Sequence, residues 1–255
     1  MGTKESAIKQ FGKQAEAYSK GSIFPDRDHL SKIVKKSGVA RHQRVLDIAT
    51  GTGFLALEFA KTAGAVIGSD LTRNMLAYAI EKQKSSGLSN IGFLLSDVES
   101  LPFPDNSFDV VSCRFAFHHF PDPIRALLEI KRVCRDSFVL IDGVSSEDLE
   151  KSQLHNRIEK LRDPSHVRIY TLSEINKMFH DLDFIIEEIE HWDIRQEFDD
   201  WIKRAGTDEN VKKVIRNLLI KSMKDDGTGL RVNLINGEPG FIYDTIILKA
   251  RVKGI

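Results

Sequence analysis

The sequence predicts an α/β fold, a mostly parallel β-sheet with helices on both faces. Three observations carry this. Short apolar runs alternate with helical patterns from residue 44 onward. The first apolar run, Val45, Leu46 and Ile48, leads through small residues into a helix that begins near Phe54. Acids stand at or near the strand ends: Asp47, Asp70, Asp97 and Asp142.

In chain order, Ile8, Phe11, Ala15 and Tyr18 stand at helical spacing within residues 4–20. They predict a polar helix that either docks on the domain or lies as a flap over a ligand with Tyr18 reaching in. After Pro25, His29, Leu30, Ile33 and Val34 predict an amphipathic helix over 26–36, ended by Gly38. The second strand is 65–69, closed by Asp70, and a helix over 72–86 stops at Gly87. A third strand covers 91–96, closed by Asp97. Residues 108–114 make the fourth strand, and Asp122-Pro123 starts the next helix with an acid at N-cap and proline at N1. The fifth strand is 137–142.

Residues 145–168 read as charged and mostly helical, ending in the turn Arg162-Asp-Pro-Ser-His-Val-Arg168. Thr171-Leu-Ser-Glu174 is a capping box for a helix to about His180. Strand six spans 184–194, and a polar helical insertion containing Trp201 spans 197–224. Asn236-Gly237 is a tight-turn signal before a last, antiparallel strand over 241–249. The expectation is one domain over 1–255, with a core at about 40–142, a sheet of seven strands, and accessory helices at about 145–182 and 197–226.

Composition narrows the class. The chain has 255 residues with 37 basic and 37 acidic side chains, and the balanced charge argues against non-specific nucleic-acid binding. No apolar run reaches the length of a membrane span, and the N-terminus lacks an apolar signal core. Cys113 and Cys134 form no CxxC and read as small core residues of a cytoplasmic protein. A homodimer is left open.

The strand–glycine loop–helix at 44–60 reads as a nucleotide-type cradle, since two glycines let backbone approach a ligand and free helix N–H groups face it. In an open parallel sheet the ligand lies beyond the carboxyl ends of the strands. Four acids there oppose a pyrophosphate and suit a ligand with a cation and ribose hydroxyls. Asp70 would grip the ribose, Asp97 would accept from an adenine amine beside the Val98 N–H, and Asp47 would hold an amino group. Together these describe S-adenosylmethionine.

The order DIATGTG, IGSD and SDVESLPFPDNSFDVVSCRFAFHHFPDP resembles the class I S-adenosylmethionine-dependent methyltransferases over residues 40–142. It is most similar to the methyltransferase type 11 branch, which includes the ubiquinone/menaquinone C-methyltransferases. LRDPSHVRIYTLSEINKMF extends the similarity to uncharacterised bacterial members. The resemblance implies a Rossmann-like sheet and cofactor roles for Asp47, Ala49, Thr50, Gly51, Gly53, Asp70, Leu71, Asp97, Val98, Arg114 and Phe115. One departure stands out: Ala49 replaces the family's first glycine, which a methyl group tolerates if φ there is negative.

Methyl transfer needs an aligned acceptor, excluded water and, for weak nucleophiles, a base. His119 is the first candidate base; otherwise His118 and His119 only cap the loop before Asp122. His166 and Arg168 form a second pair at the acceptor, or else a surface ion pair with Asp163. Tyr18, Tyr170 and Trp201, with Arg204 nearby, are acceptor-side candidates, each with packing as its alternative. His29, His42, His155, His180 and His191 show no metal spacing and read as surface or packing residues.

Two other classes compete. Gly51-x-Gly53-x-x-Ala56 followed by Asp70 also fits an NAD(P)-dependent oxidoreductase, with Tyr78 and Lys82 at a dehydrogenase-like spacing on the wrong helix. A non-catalytic S-adenosylmethionine-binding protein is the other. The segment 114–119, RFAFHH, lacks the Asn/Asp-Pro-Pro-aromatic motif of adenine or glutamine methylation, and there is no Pro-Cys nucleophile. No carboxylate-rich Mg²⁺ site can be assembled. A small-molecule acceptor remains.

Overall fold

The computed structural model describes residues 3–20 and 26–252, so Pro25 lies outside the described residues. The chain runs α1 (Thr3–Lys20), α2 (Arg27–Ser37), β1 (Arg44–Ile48), α3 (Phe54–Ala60), β2 (Ala65–Asp70), α4 (Arg73–Ser86) and β3 (Ile91–Leu95). It continues through β4 (Phe108–Arg114), α5 (Pro123–Val133), β5 (Cys134–Gly143), α6 (Leu149–Arg162) and α7 (Leu172–Asp181). The last elements are β6 (Phe184–Glu197), α8 (Phe198–Ala205), α9 (Glu209–Ser222), β7 (Asn233–Ile235) and β8 (Glu238–Val252).

The sheet order is β3-β2-β1-β4-β5-β8-β6, and β7 pairs with β8 off this path. β1 to β5 pair in parallel, while β8 runs antiparallel to both β5 and β6. The chain builds outward from β1 to β3, then returns to lay β4 on β1's other side. That reversal opens a crevice beyond the carboxyl ends of β1 and β4.

Side chains alternate between two cores, as strands buried on both faces must. In β5, Phe138 and Leu140 pack with Leu127, Ile130, Ile175 and Phe179 of α5 and α7. Val139 and Ile141 pack with Ile33, Leu55 and Phe59 of α2 and α3. Burying each such side chain contributes about 1.5–3 kcal/mol. A third cluster joins Ile158 of α6, Phe198 and Trp201 of α8, Ile215 and Leu219 of α9, and Phe241 of β8.

The local signals act as the sequence leads one to expect. Asp26 caps α2 through the Asp28 and His29 N–H groups, and Gly38 and Gly87 end α2 and α4 with positive φ. Thr171 and Glu174 form a reciprocal capping box, and Asp122 caps α5 with Pro123 in its first turn. The sheet has eight described strands where seven were expected. The extra one, β7, is a three-residue hairpin arm, too short to show a period. β5, β6 and β8 also run longer than their apolar runs. β6 carries Glu187, Glu188 and Glu190 at the sheet edge, where charge is tolerated and deters edge pairing.

Gly53 shows how tightly the crossing into α3 is packed. Its φ is +81°, and a Cβ there would stand 2.9 Å from Ala79 Cβ and 3.1 Å from Phe93 Cζ. Gly53→Ala is expected to cost about 2–4 kcal/mol, from left-handed backbone strain plus overpacking. Urea unfolding measures it; an unchanged midpoint would show that the start of α3 relaxes freely.

Candidate functional site

Two cavities lie at the carboxyl end of the sheet. The larger, about 1140 Å³ and partly open to solvent, sits at the β1/β4 reversal. Asp47, Ala49, Thr50, Gly51, Asp70, Leu71, Asp97, Val98, Arg114 and Phe115 all border it. Gly53 does not; it begins α3 and packs on Ala79 and Phe93.

Asp47 is buried at the strand end, where its Oδ1 accepts from Ser112 Oγ (2.6 Å) and its Oδ2 from Thr50 Oγ1 (2.5 Å). Burial pushes its carboxyl up to about 6, against the pull of those two hydroxyls. Asp70 accepts from the Gly51 N–H and the Thr72 N–H, both at 2.8 Å. The Thr72 hydroxyl and the Leu71 N–H also act on this carboxylate, which borders the cavity. Gly51 has φ +56°, and a Cβ on it would meet no protein atom within 4 Å, so bare backbone faces the cavity. Carboxylates, small residues and bare backbone fit a ligand with hydroxyls and an amino group.

The condition placed on Ala49 fails: its φ is +48°. The loop keeps the left-handed turn that glycine normally serves and absorbs about 1–2 kcal/mol of Cβ strain. Phe115, just past β4, also has a positive φ, +54°, unusual for a bulky side chain. Its N–H is tied to the Ile141 carbonyl at 2.8 Å. Arg114 lies over the Phe115 ring (4.6 Å) and is held down to about 10 by burial.

Helix α1 both docks and covers. Gln10 and Gln14 donate to the Ala205 carbonyl of α8, and Lys4, Ala7, Phe11 and Tyr18 border the larger cavity. Lys4 pairs with Asp97 (2.6 Å) and Glu99 (2.5 Å), so an ammonium already stands at the carboxylate read as an amine acceptor.

The second cavity, about 650 Å³, is bordered by His118, Asp142, Glu159, Arg162, Trp201, Arg204 and Tyr243, among others. Tyr18 and Phe115 border both cavities and so stand between them. Asp142, grouped by sequence with the other strand-end acids, turns to this side. Its Oδ1 meets His118 Nδ1 at 2.6 Å, and its Oδ2 accepts from the His118 N–H at 3.1 Å. Burial works to lower the His118 pKa, but the Asp142 charge and hydrogen bond outweigh it and the pKa rises.

The two histidines part company here. His119 borders the larger cavity, packs edge-on against Phe11 at 4.8 Å, and has Nδ1 3.3 Å from Ser165 Oγ. Burial, with His118 adding to it, lowers its pKa to about 3, which leaves it a weak base. His166 borders neither cavity; it is buried behind the pair, with Nε2 3.1 Å from Asn156 Oδ1, and burial lowers its pKa too. The 162–168 turn is hooked on His118: the Val167 and Arg168 N–H groups both donate to its carbonyl at 3.0 Å.

Arg168 pairs with Glu174 (2.6 Å) at the surface, and Tyr170 packs on Phe117; neither borders a cavity. Trp201 is buried and does. Sequence reading passed over the acid–histidine couple of His118 and Asp142, and Glu159 and Arg162 as cavity residues. The acid ending β5 was the available signal. Tyr78 and Lys82 lie outside both cavities, with Lys82 donating to Ser19 (2.6 Å). Both cysteines are free and buried. Among the described residues no cluster could hold a metal ion, and no helix is long and apolar enough to cross a membrane.

A family model described as a methyltransferase domain matches residues 46–141. The chain is 38% identical over 243 residues to the uncharacterized methyltransferase YcgJ of Bacillus subtilis, covering 94% of this chain and 96% of that one. It is 46% identical over 131 residues to the ubiquinone/menaquinone biosynthesis C-methyltransferase UbiE of Bdellovibrio bacteriovorus, across 49% of this chain and 55% of that one. The crystal structure of YcgJ superimposes with a TM-score of 0.84 at 34% identity, over 89% of this chain and 99% of that chain. A putative methyltransferase from Bacillus halodurans gives 0.84 at 29% identity, over 89% and 100%.

The His118–Asp142 couple has its own test. In Asp142→Asn the charge that holds the imidazolium is gone while burial remains, so the His118 pKa is expected to fall. Proton NMR titration of the histidine ring protons reads this directly. A pKa that stays raised would assign the shift to another carboxylate.

Proposed function

The chain belongs to the class I S-adenosylmethionine-dependent methyltransferases, and we propose that it methylates a small-molecule acceptor held in the second cavity, with the cofactor in the larger one. Methyl transfer from S-adenosylmethionine is the activity of the family. Neither the oxidoreductase reading nor the non-catalytic one is favoured by these relatives.

The observation that carries the two-cavity reading is the shared wall. A methyl group leaving the larger cavity enters the second past Tyr18 and Phe115. Asp70 would take the ribose hydroxyls, Asp97 with Val98 the adenine, and Asp47, with Thr50 and the Ala49–Gly51 backbone, the amino-acid end. Leu71, Arg114 and Phe115 would complete the lining of the larger cavity around the cofactor. Gly53 would act through the loop it shapes. When bound, the cofactor supplies a methyl group on a sulfonium with a good leaving group. The protein's own task is to align the acceptor, exclude water and receive a proton.

His118 is the group for that proton. In its neutral form, with Nδ1–H donated to Asp142, Nε2 is the position left to accept, and the raised pKa makes that form a stronger base than His119. His119 serves as cavity wall, and His166 with Asp163 and Ser165 positions the pair from behind. All of this sits in one domain, with α1, α6, α8 and α9 as the acceptor-side cover.

Calorimetric titration with S-adenosylhomocysteine, S-adenosylmethionine and NADH is the direct test. Binding of the first two and none of NADH is expected; tight NADH binding alone would sink the reading. Asp70→Ala should weaken S-adenosylhomocysteine binding about tenfold. The pH dependence has a definite sign. As pH falls below about 6, the free protein's Asp47 takes up a proton and can no longer hold an ammonium, so affinity should drop. Asp47→Asn should bind weakly without that pH dependence. A wild-type affinity that ignores pH between 5 and 7 (about one unit either side of that pKa) would remove Asp47 from the role.

A further inference from the structure

The second cavity has a charge pattern that speaks to its ligand, an argument resting on the methyl-transfer reading for what that ligand is used for. Two arginines border it, and their side chains are only 13% and 8% exposed for Arg162 and Arg204. Both are braced from behind. Arg162 donates from Nε to the Trp201 carbonyl (3.1 Å) and from Nη1 to Glu159 (3.3 Å), with its guanidinium over the Trp201 ring at 4.6 Å. Arg204 donates to Asp200 (2.6 Å) and to Gln196 Oε1 (2.5 Å). A guanidinium has five N–H donors, so each arginine keeps donors beyond these bonds while its plane is fixed.

Glu159 and Asp142 are the carboxylates bordering the cavity, and Asp142 is committed to His118. Glu159 also accepts from the Tyr243 hydroxyl. Asp200 lies outside the lining with its side chain 55% exposed, where water screens it. Burial works to lower the Arg162 pKa, but Glu159 and, with others, the buried Asp163 outweigh it and the pKa rises, so Arg204 is the arginine left short of interior counter-charge. Burial lowers the Arg204 pKa, and the nearby Arg162 charge adds to that, against Asp200. A buried guanidinium such as Arg204, whose carboxylate partner stands out in water, is costly until an anionic ligand shares it. A cationic ligand would set a like charge beside the two guanidinium groups, and a neutral one would leave their remaining donors without an anionic acceptor. The remaining wall is aromatic: Tyr18, Phe115, Trp201 and Tyr243. Flat apolar faces match a flat apolar ring.

We propose that the acceptor is an aromatic carboxylate, its ring among these four side chains and its carboxylate on Arg162 and Arg204. That places the anionic end on the α6/α8 side of the cavity. The ring then lies toward Phe115 and His118, the side shared with the cofactor.

Three matched probes test this by calorimetry on the full chain, with and without S-adenosylhomocysteine: 3-hydroxyphenylacetate, its neutral amide, and the corresponding amine, 3-hydroxyphenethylamine. The acid should bind at least about tenfold tighter than the amide, the difference expected when charge-assisted hydrogen bonds are lost, and the amine weakest of all. In Arg204→Gln the acid's advantage over the amide should shrink by about tenfold, with S-adenosylhomocysteine affinity unchanged. Equal binding of acid and amide, preference for the amine, or no binding of any probe at millimolar concentration overturns the proposal; these comparisons stand on the wild-type protein even if the variant fails to fold. Acid preference without S-adenosylhomocysteine binding would instead remove the cofactor reading and leave the anion site in place.

Discussion

Asp47 is a carboxylate at the buried end of a central strand, and the structure around it answers that single problem. Stranded charge in an apolar sheet would cost several kcal/mol. Ser112 reaches it from β4 and Thr50 from the loop, so one carboxylate ties together β1, the turn into α3, and the strand across the reversal. Asp70 repeats the device one strand over, fixing the Gly51 N–H and its own connection into α4. The loop's left-handed residues are held by this polar frame. That is why Ala49 can occupy a conformation that costs its methyl group energy.

The same sheet end makes a second, different site a few residues away. β4 delivers Phe115 in a strained conformation, and the next turn turns His118 back onto Asp142 of β5. Neighbouring histidines thus acquire opposite characters. His118 gains an anionic partner and becomes more basic. His119 finds Phe11, Ser165 and its charged neighbour, and becomes less so. Position along the chain does not separate them; the partners that each faces do.

Much of the fold was legible because its signals are local. Period-two and period-3.6 patterns, the caps at Asp26, Asp122 and Thr171, and the stops at Gly38 and Gly87 each involve residues within a turn of one another. The misses have equally local causes: β7 is three residues of no period, and β6 and β8 extend into charged or turn residues that pairing alone holds in strand form. That the acids at 47, 70 and 97 gather at the larger cavity was readable because parallel topology sends strand ends to one edge. Gly53 was read as ligand-facing because spacing cannot tell a residue that lines a turn from one that supports it.

The sequence by itself determined the α/β class, the strand–loop–helix cradle, the family and the acids of the larger cavity. Only the tertiary structure decided that Asp142 belongs to His118 rather than to the other acids. It also decided that His166, Arg168 and Tyr170 stand away from both cavities, and that Arg162 and Arg204 share one with Tyr18. The physical reason is range. Caps and periods are set by neighbours in the chain. A cavity wall drawn from α1, the turn after β4, β5, α6, β6, α8 and β8 exists only once long-range packing brings those elements to the same end of the sheet.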